Sequence, residues 1–211
     1  MINILSGKNI FIKMDRPTYI TGIAYTANIL GFITVPLAGK VPIIYNWANL
    51  TLKWGKMKEE DLYISSRNVY HRLVESKNLE QKRKANVGIA TGEPSGVVVV
   101  DVDNEGDTIV RWKKLVEENG VPQTFTVMTP TEGLHYYFLY DETTKNFTNR
   151  GVIGGMNIDF RTNGGLVLFP GDFGENEKQY YVIDGYQERK NISPLITIAS
   201  MPLWIIQLLQ K

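Results

Sequence analysis

The chain has 211 residues, of which 43% are hydrophobic and 21% are charged, a composition typical of a folded globular domain rather than a disordered segment. The formal net charge is +1, so the whole chain lacks the basic excess of many nucleic-acid-binding domains. It has no cysteine and only 2 histidines, which excludes disulfides, thiolate zinc sites and a cysteine nucleophile. There is no apolar run of roughly 20 residues and no signal-peptide pattern, so we expect a cytoplasmic protein without a membrane partner.

The N-terminal part of the chain predicts a helix, a strand and a turn. Apolar residues recur at helical spacing over residues 19–30, and Gly31 stands where a helix commonly ends. The apolar run 32–37 predicts a strand, and it leads into a turn at Gly39-Lys40-Val41-Pro42.

Residues 53–84 form a strongly charged stretch with nine basic and five acidic side chains and a thin apolar stripe. Such a stretch is typical of a solvated helix. The alternative is a surface that follows the phosphates of a nucleic acid. The candidates for nucleic-acid binding in that case are Lys53, Lys56, Arg67 and Arg72.

The remainder of the chain is richer in predicted strands. The β-branched run Val97–Val102 predicts a strand buried on both faces, and Thr108–Asn119 predicts a helix with Asp107 as N-cap and Gly120 as stop. Short strands are predicted at 125–129, 134–140, 157–161, 166–169 and 180–183, followed by a final helix at 202–209. This order of elements predicts an α+β fold around a mainly antiparallel sheet.

Two aspartates, Asp101 and Asp103, mark the end of the apolar strand. Side chains alternate along a strand, so the two carboxylates share one face. A hard divalent cation such as Mg²⁺ or Mn²⁺ would relieve their mutual repulsion, and oxygen ligands suit it. The alternative is a turn without a metal, because Asp and Asn are common where strands end.

Asp159 and Arg161 share a face of the predicted strand 157–161. In a functional site they would supply a third carboxylate for a two-metal centre and a guanidinium for a phosphate group. The alternative is an exposed ion pair that contributes little to stability.

His135 follows a glycine-containing loop and opens an aromatic strand. It could donate a hydrogen bond to a triphosphate oxygen, or it could be a structural histidine with satisfied partners. The glycine-rich stretches 88–92 and 164–165 are compatible with a phosphate-binding backbone, although the Walker and dinucleotide-binding motifs are absent.

Several segments in order resemble one known family. NVGIATGEPSGVVVVDVD, TPTEGLHYYF, NIDFRTNGGLVLFP and YYVID are similar to the bifunctional primase–polymerase (prim-pol) domain of the archaeo-eukaryotic primase superfamily. The earlier ANILGFITVPLAGKVPIIYNW resembles the opening helix of that family, its turn and its tryptophan. The resemblance covers about residues 20–185.

The resemblance implies a single catalytic domain of two lobes, about 1–95 and 96–190, with an RNA-recognition-like sheet that carries the acids. It implies that Asp101, Asp103 and Asp159 bind metal and that His135 contacts the phosphates of the incoming nucleotide. Arg161 and Lys40 would neutralise triphosphate charge, and Thr129, at the start of the loop before His135, is a further nucleotide-binding candidate.

The implied function is DNA-directed primer synthesis or extension, with two Mg²⁺ or Mn²⁺ ions, (d)NTPs and a single-stranded DNA template, and no zinc. We expect the chain to be the N-terminal part of a longer viral or plasmid replication protein, with a fused or associated helicase. The alternatives are a catalytically silent nucleic-acid-binding module and a metal-dependent nuclease. Residues 101–160 hold ten acidic and five basic residues. The near-zero net charge of the whole chain therefore includes an acidic region here and a basic region at residues 53–84.

Overall fold

A computed structural model describes residues 15–54, 78–184, 187–188 and 197–211. Helices and antiparallel strands are both present, which confirms the predicted α+β class. The helices are α1 (Arg16–Ile29), α2 (Trp47–Trp54), α3 (Leu79–Arg83), α4 (Thr108–Asn119) and α5 (Leu203–Leu209), with a 3-10 turn at Thr144–Asn146. In the described part of the chain, no helix has the length and apolar character needed to cross a membrane.

A first sheet is built from four strands in the spatial order β2-β1-β3-β8, each paired antiparallel to its neighbour. The strands are β1 (Thr34–Ala38), β2 (Val41–Pro42), β3 (Ala85–Ala90) and β8 (Leu166–Leu168). Although β8 comes late in the chain, it pairs with β3, so the first sheet includes residues from beyond position 96. The division into lobes at about residue 95 remains a prediction.

A second sheet has six strands in the order β10-β9-β5-β6-β4-β7, again with antiparallel pairings. The strands are β4 (Val97–Val102), β5 (Thr126–Met128), β6 (Leu134–Leu139), β7 (Ile158–Arg161), β9 (Tyr181–Asp184) and β10 (Gln187–Glu188). The bounds of β4 and α4 match the sequence predictions.

Two hydrophobic clusters cover the two faces of the second sheet. The first joins α1 and the first sheet to Val97, Val99 and Tyr137 of the second sheet. The other cluster packs Val98 and Val100 against α4 and α5, where the rings of Trp112 and Trp204 lie 5.2 Å apart. Each face of β4 is therefore buried, as a continuous apolar run predicts.

Local signals explain where the structure departs from the predicted bounds. Helix α1 begins at Arg16 rather than at residue 19, because the Asp15 side chain accepts a hydrogen bond from the Thr18 amide and Pro17 suits a first turn. Asp107 occupies the N-cap of α4, but its side chain makes no capping hydrogen bond. Helix α2 begins at Trp47, beyond the predicted turn at residues 39–42, in a segment where the sequence predicted no helix.

Replacing Gly22 with alanine is expected to stabilise the protein. Gly22 lies inside α1, and a Cβ atom built there has no neighbour within 4 Å. Alanine loses less backbone entropy on folding, so the free energy of unfolding should rise by about 0.5–1 kcal/mol. Urea unfolding would measure this. Gly31→Ala is the control, because Gly31 has φ +88° and equally open surroundings, so the change there should destabilise.

Candidate functional site

Three predicted site residues form one row across the second sheet. Asp101 on β4 lies opposite His135 on β6 and opposite Asp159 on β7. Asp101 shares its strand face with Val97 and Val99, which pack in the cluster that includes the first sheet. The row therefore lies on the face of the second sheet that is turned toward the first sheet.

Asp103 lies just beyond the end of β4, and its backbone N–H donates to the carbonyl of Asn157 at 3.0 Å. Partial burial raises the pKa of the Asp103 carboxyl, and the negative charges of Asp101 and Asp159 raise it further. The three predicted metal-binding carboxylates thus influence one another across neighbouring strands.

His135 and Asp101 form a close pair, with Nε2 of the imidazole 3.4 Å from Oδ1 of the carboxylate. Burial acts to raise the pKa of Asp101, but His135, Arg161 and Lys40 together outweigh it, so this pKa lies below its usual range. The other imidazole nitrogen, Nδ1, is buried and has no hydrogen-bond partner among the described residues. His135 is consequently not the fully satisfied structural histidine of the alternative interpretation.

Asp159 and Arg161 form an ion pair along β7, between a carboxylate oxygen and the terminal NH2 nitrogen of the guanidinium. Both side chains are partly exposed, so the pair contributes little to stability by itself. The Nε atom of Arg161 is buried without a hydrogen-bond partner in the described residues. The guanidinium keeps a donor that a ligand could use.

Lys40 approaches the acids from the first sheet. It lies exposed in the turn between β1 and β2, and its positive charge lowers the pKa of both Asp101 and Asp103. The two sheets thus meet at one inter-sheet site, which we define as Asp101, Asp103, Asp159, His135, Arg161 and Lys40. No local pattern in the sequence links position 40 to position 101.

Thr129 closes the loop that precedes His135. Its hydroxyl accepts a hydrogen bond from the Gly133 amide at 2.9 Å and lies 3.1 Å from the hydroxyl of Thr131. The side chain is buried and already engaged within the loop. The structure therefore gives Thr129 a loop-closing contact, and its nucleotide-binding role remains a prediction.

The glycine-rich stretches are not open phosphate loops, which corrects the sequence interpretation. Gly88 lies within β3, where a Cβ atom would clash with the side chain of Leu166. A Cβ atom on Gly92 would meet the backbone of Asn163, and one on Gly165 would lie 2.5 Å from the Thr91 hydroxyl oxygen. These glycines are explained by close packing between two chain segments.

Of the four candidates for nucleic-acid binding, the structure describes one. Lys53 is exposed in the last turn of α2. Lys56, Arg67 and Arg72 lie outside the described residues. The structure therefore gives a position for Lys53 alone among the four candidates, and the nucleic-acid-binding role remains a prediction.

Tyr180 is a site residue that the sequence analysis missed. Its ring centroid lies 5.5 Å from that of His135, and the residue is only 5% exposed. Burial raises the pKa of its phenol far above the usual range, and the charges of Asp101, Asp172 and Asp103 add to this effect. The YYVID segment was noted for its resemblance, but only the pairing of β9 with β5 brings Tyr180 to the acids.

A scan against protein-family models matches residues 23–204 to the family described as bifunctional DNA primase/polymerase, N-terminal. The match covers most of the 211 residues. The chain belongs to this family. Membership in the bifunctional DNA primase/polymerase family supports a nucleic-acid enzyme of the primase/polymerase type in general. No curated protein sequence matches the chain.

The prim-pol fold implies divalent cations, and the donor types of the inter-sheet site fit them. Three carboxylates supply hard oxygen ligands, and the repulsion that raises the pKa of Asp103 is relieved by a cation. As the side chains stand, no group of three or more His, Asp or Glu residues in the described ranges could hold a metal ion. Asp101 and Asp159 are instead turned to His135 and Arg161. Metal binding therefore requires these carboxylates to change partners.

Proposed function

We propose that this prim-pol chain is a DNA-directed primase/polymerase that transfers nucleotides from (d)NTPs to a 3′-hydroxyl on a single-stranded DNA template. The proposal extends to a role in viral or plasmid replication. It rests on one observation: Asp159, Asp101 and His135 occupy a single row that faces a lysine of the other sheet.

The inter-sheet site combines the two kinds of group that nucleotidyl transfer requires. The reaction forms a bond between the 3′-oxygen and the α-phosphorus and breaks the bond from that phosphorus to the bridging oxygen, so pyrophosphate leaves. Carboxylates suit the ions that accompany a triphosphate, and cations suit its oxygens. Asp101, Asp103 and Asp159 provide the first, and Lys40 and Arg161 provide the second.

Asp101, Asp103 and Asp159 would hold two Mg²⁺ or Mn²⁺ ions. When bound, such ions lower the pKa of the attacking hydroxyl and stabilise the charge that develops on the phosphates. Arg161 is paired with Asp159 in the present structure, and release of that pair frees the guanidinium for a phosphate oxygen. His135 holds Asp101 through Nε2 and keeps Nδ1 for a further partner.

Lys53 provides a test of template binding. If the basic region contacts the DNA backbone, Lys53→Ala should weaken binding of a fluorescent single-stranded oligonucleotide and reduce the slope of log affinity against log salt by about 0.7, the value for one phosphate contact on a single strand. Lys113→Ala, an exposed lysine of α4, is the matched control. Equal slopes for wild type and Lys53→Ala would contradict this assignment.

The overall proposal is tested with the 211-residue chain, a single-stranded template and labelled nucleotides. Reactions with and without an annealed primer, in Mg²⁺ and in Mn²⁺, should give template-length products that depend on the metal. DNA binding with no incorporation under any ion would favour a silent binding module. Release of nucleotides from labelled DNA in the absence of triphosphates would favour a nuclease.

A further inference from the structure

Gly151 lies beside Asp159 at the outer edge of β7. Arg150 and Phe160 exchange two backbone hydrogen bonds, of 3.1 and 2.7 Å, so the segment that contains Gly151 runs antiparallel to β7 on the side away from β4. In this register Gly151 is opposite Asp159, in the kind of cross-strand pair that has no backbone hydrogen bonds and brings side chains closest. A side chain at position 151 would therefore project from the same face as the Asp159 carboxylate.

The Asp159 carboxylate occupies the space that a side chain at position 151 would need. A Cβ atom built on Gly151 would lie 2.5 Å from Oδ1 and 3.7 Å from Cγ of Asp159, and outside its chain neighbours it meets no other described atom within 4 Å. The Cβ atoms of opposite residues are ordinarily about 4.5–5.5 Å apart, so an oxygen this close shows that the carboxylate leans over the bare backbone of Gly151. The φ of Gly151 lies outside the left-handed region, so its backbone conformation does not require glycine.

This lean turns Asp159 away from the other carboxylates of the inter-sheet site. Asp101 is opposite Asp159 across β7, on the side away from Gly151. The second carboxylate oxygen of Asp159, Oδ2, pairs with Arg161. The negative charge of Asp159 acts unfavourably on Asp103, so a lean away from the acids reduces their repulsion. In this orientation the described carboxylates do not form a group that could hold a metal ion.

We propose that Gly151 is a positioning residue that gives Asp159 a resting orientation, from which the carboxylate turns toward Asp101 and Asp103 when a divalent cation binds. This inference rests on the proposed function, because it concerns the metal-binding carboxylates of the same site. The same turn separates Asp159 from Arg161 and frees the guanidinium. The resting orientation competes with the cation, so the apparent affinity is reduced by the fraction of molecules that do not rest over Gly151.

The test is the binding of Mn²⁺ alone to the whole chain, followed by electron paramagnetic resonance of the free ion. Gly151→Ala should lower the Kd for Mn²⁺ about tenfold, because the added methyl group removes the resting orientation and leaves the one that binds the cation. In chelator-treated protein the same substitution should lower the Tm by about 3–6 °C, the shift that corresponds to a tenfold change in Kd. Saturating Mn²⁺ should abolish this difference in Tm. An unchanged or raised Kd would overturn the proposal.

Gly22→Ala is the matched control for Mn²⁺ binding. Gly22 also lies outside the left-handed region, and a Cβ atom there, inside α1, meets nothing within 4 Å. The two variants therefore add the same methyl group without backbone strain, but only one of them displaces a carboxylate. The Kd of Gly22→Ala for Mn²⁺ should equal that of wild type.

The Asp159→Ala background shows whether the carboxylate is the cause. With that carboxylate removed, Gly151→Ala should leave the Tm of chelator-treated protein unchanged. A loss of Tm as large as in the wild-type background, or a double variant that does not fold, would show that Gly151 serves the fold rather than Asp159. Wild-type protein that binds no Mn²⁺ contradicts the proposed function as well, whereas wild-type binding that Gly151→Ala does not strengthen contradicts the role of Gly151 alone.

Discussion

Replacement of Asp101 with asparagine is expected to lower nucleotide incorporation by about 10²–10³-fold, the usual effect of removing one electrostatic group from a reacting centre. Asp101 is the central member of the row, opposite both His135 and Asp159. Asparagine retains the size of the side chain but removes the charge that would hold a cation. Steady-state primer extension in Mg²⁺ and in Mn²⁺ measures the effect, and the Asp101→Ala plus Asp103→Ala double variant should show no extension.

Asp101→Asn should also be less stable at neutral pH. Burial acts against the charged carboxylate, but His135, Arg161 and Lys40 lower its pKa overall, so the folded state favours ionised Asp101. That contribution is present above the pKa of the unfolded chain and is lost as the pH falls through the folded pKa. Circular dichroism at the assay temperature therefore has to establish that the variant is folded before its rate is compared.

Asp107→Asn is the matched control for Asp101→Asn. Asp107 is exposed, makes a 3.7 Å contact with the exposed guanidinium of Arg111, and follows the same strand. Its replacement removes the same charge outside the inter-sheet site, so extension should stay within about twofold of wild type. A folded Asp101→Asn variant that extends primers as fast as Asp107→Asn would contradict the proposed site.

Replacement of Gly92 with alanine is expected to destabilise the protein by about 3–5 kcal/mol, which combines left-handed backbone strain with overpacking. Gly92 has φ +84°, and a Cβ atom there would lie 2.5 Å from the backbone nitrogen of Asn163 and 2.7 Å from its Cα. Backbone atoms cannot rotate away as a side chain can. The expected loss corresponds to a decrease in Tm of roughly 10 °C or more for a domain of this size.

Gly96→Ala separates the two causes of the Gly92 effect. Gly96 also has a positive φ, +65°, but a Cβ atom there meets nothing within 4 Å. Alanine at position 96 should lower the free energy of unfolding by the backbone strain alone, about 1–2 kcal/mol. Denaturant unfolding of both variants gives the difference. Equal stability of the two variants would show that the contact between Gly92 and Asn163 does not constrain the fold.

Local sequence patterns were sufficient to predict the bounds of the elements with strong periodicity. The β-branched run of β4 and the amphipathic α4 have the bounds that their residues predict, because burial on a regular period is encoded in neighbouring positions. Alternation alone also predicts Asp101 and Asp103 on one strand face, but β4 ends at Val102, so Asp103 lies just beyond the strand. Strand β3 was harder to predict, because Gly88 weakens the strand pattern. The space that a side chain at position 88 would occupy is filled by Leu166 from a distant strand.

The sequence by itself determined the α+β class, the family resemblance and most of the residue types at the candidate site. Only the tertiary structure decided which of them meet: Asp159 lies opposite Asp101 through the register of β4 and β7, Lys40 arrives from the other sheet, and Tyr180 reaches His135 across β5. Strand alternation is a local property, whereas strand order, register and the packing of one sheet on another depend on contacts between residues far apart in the chain.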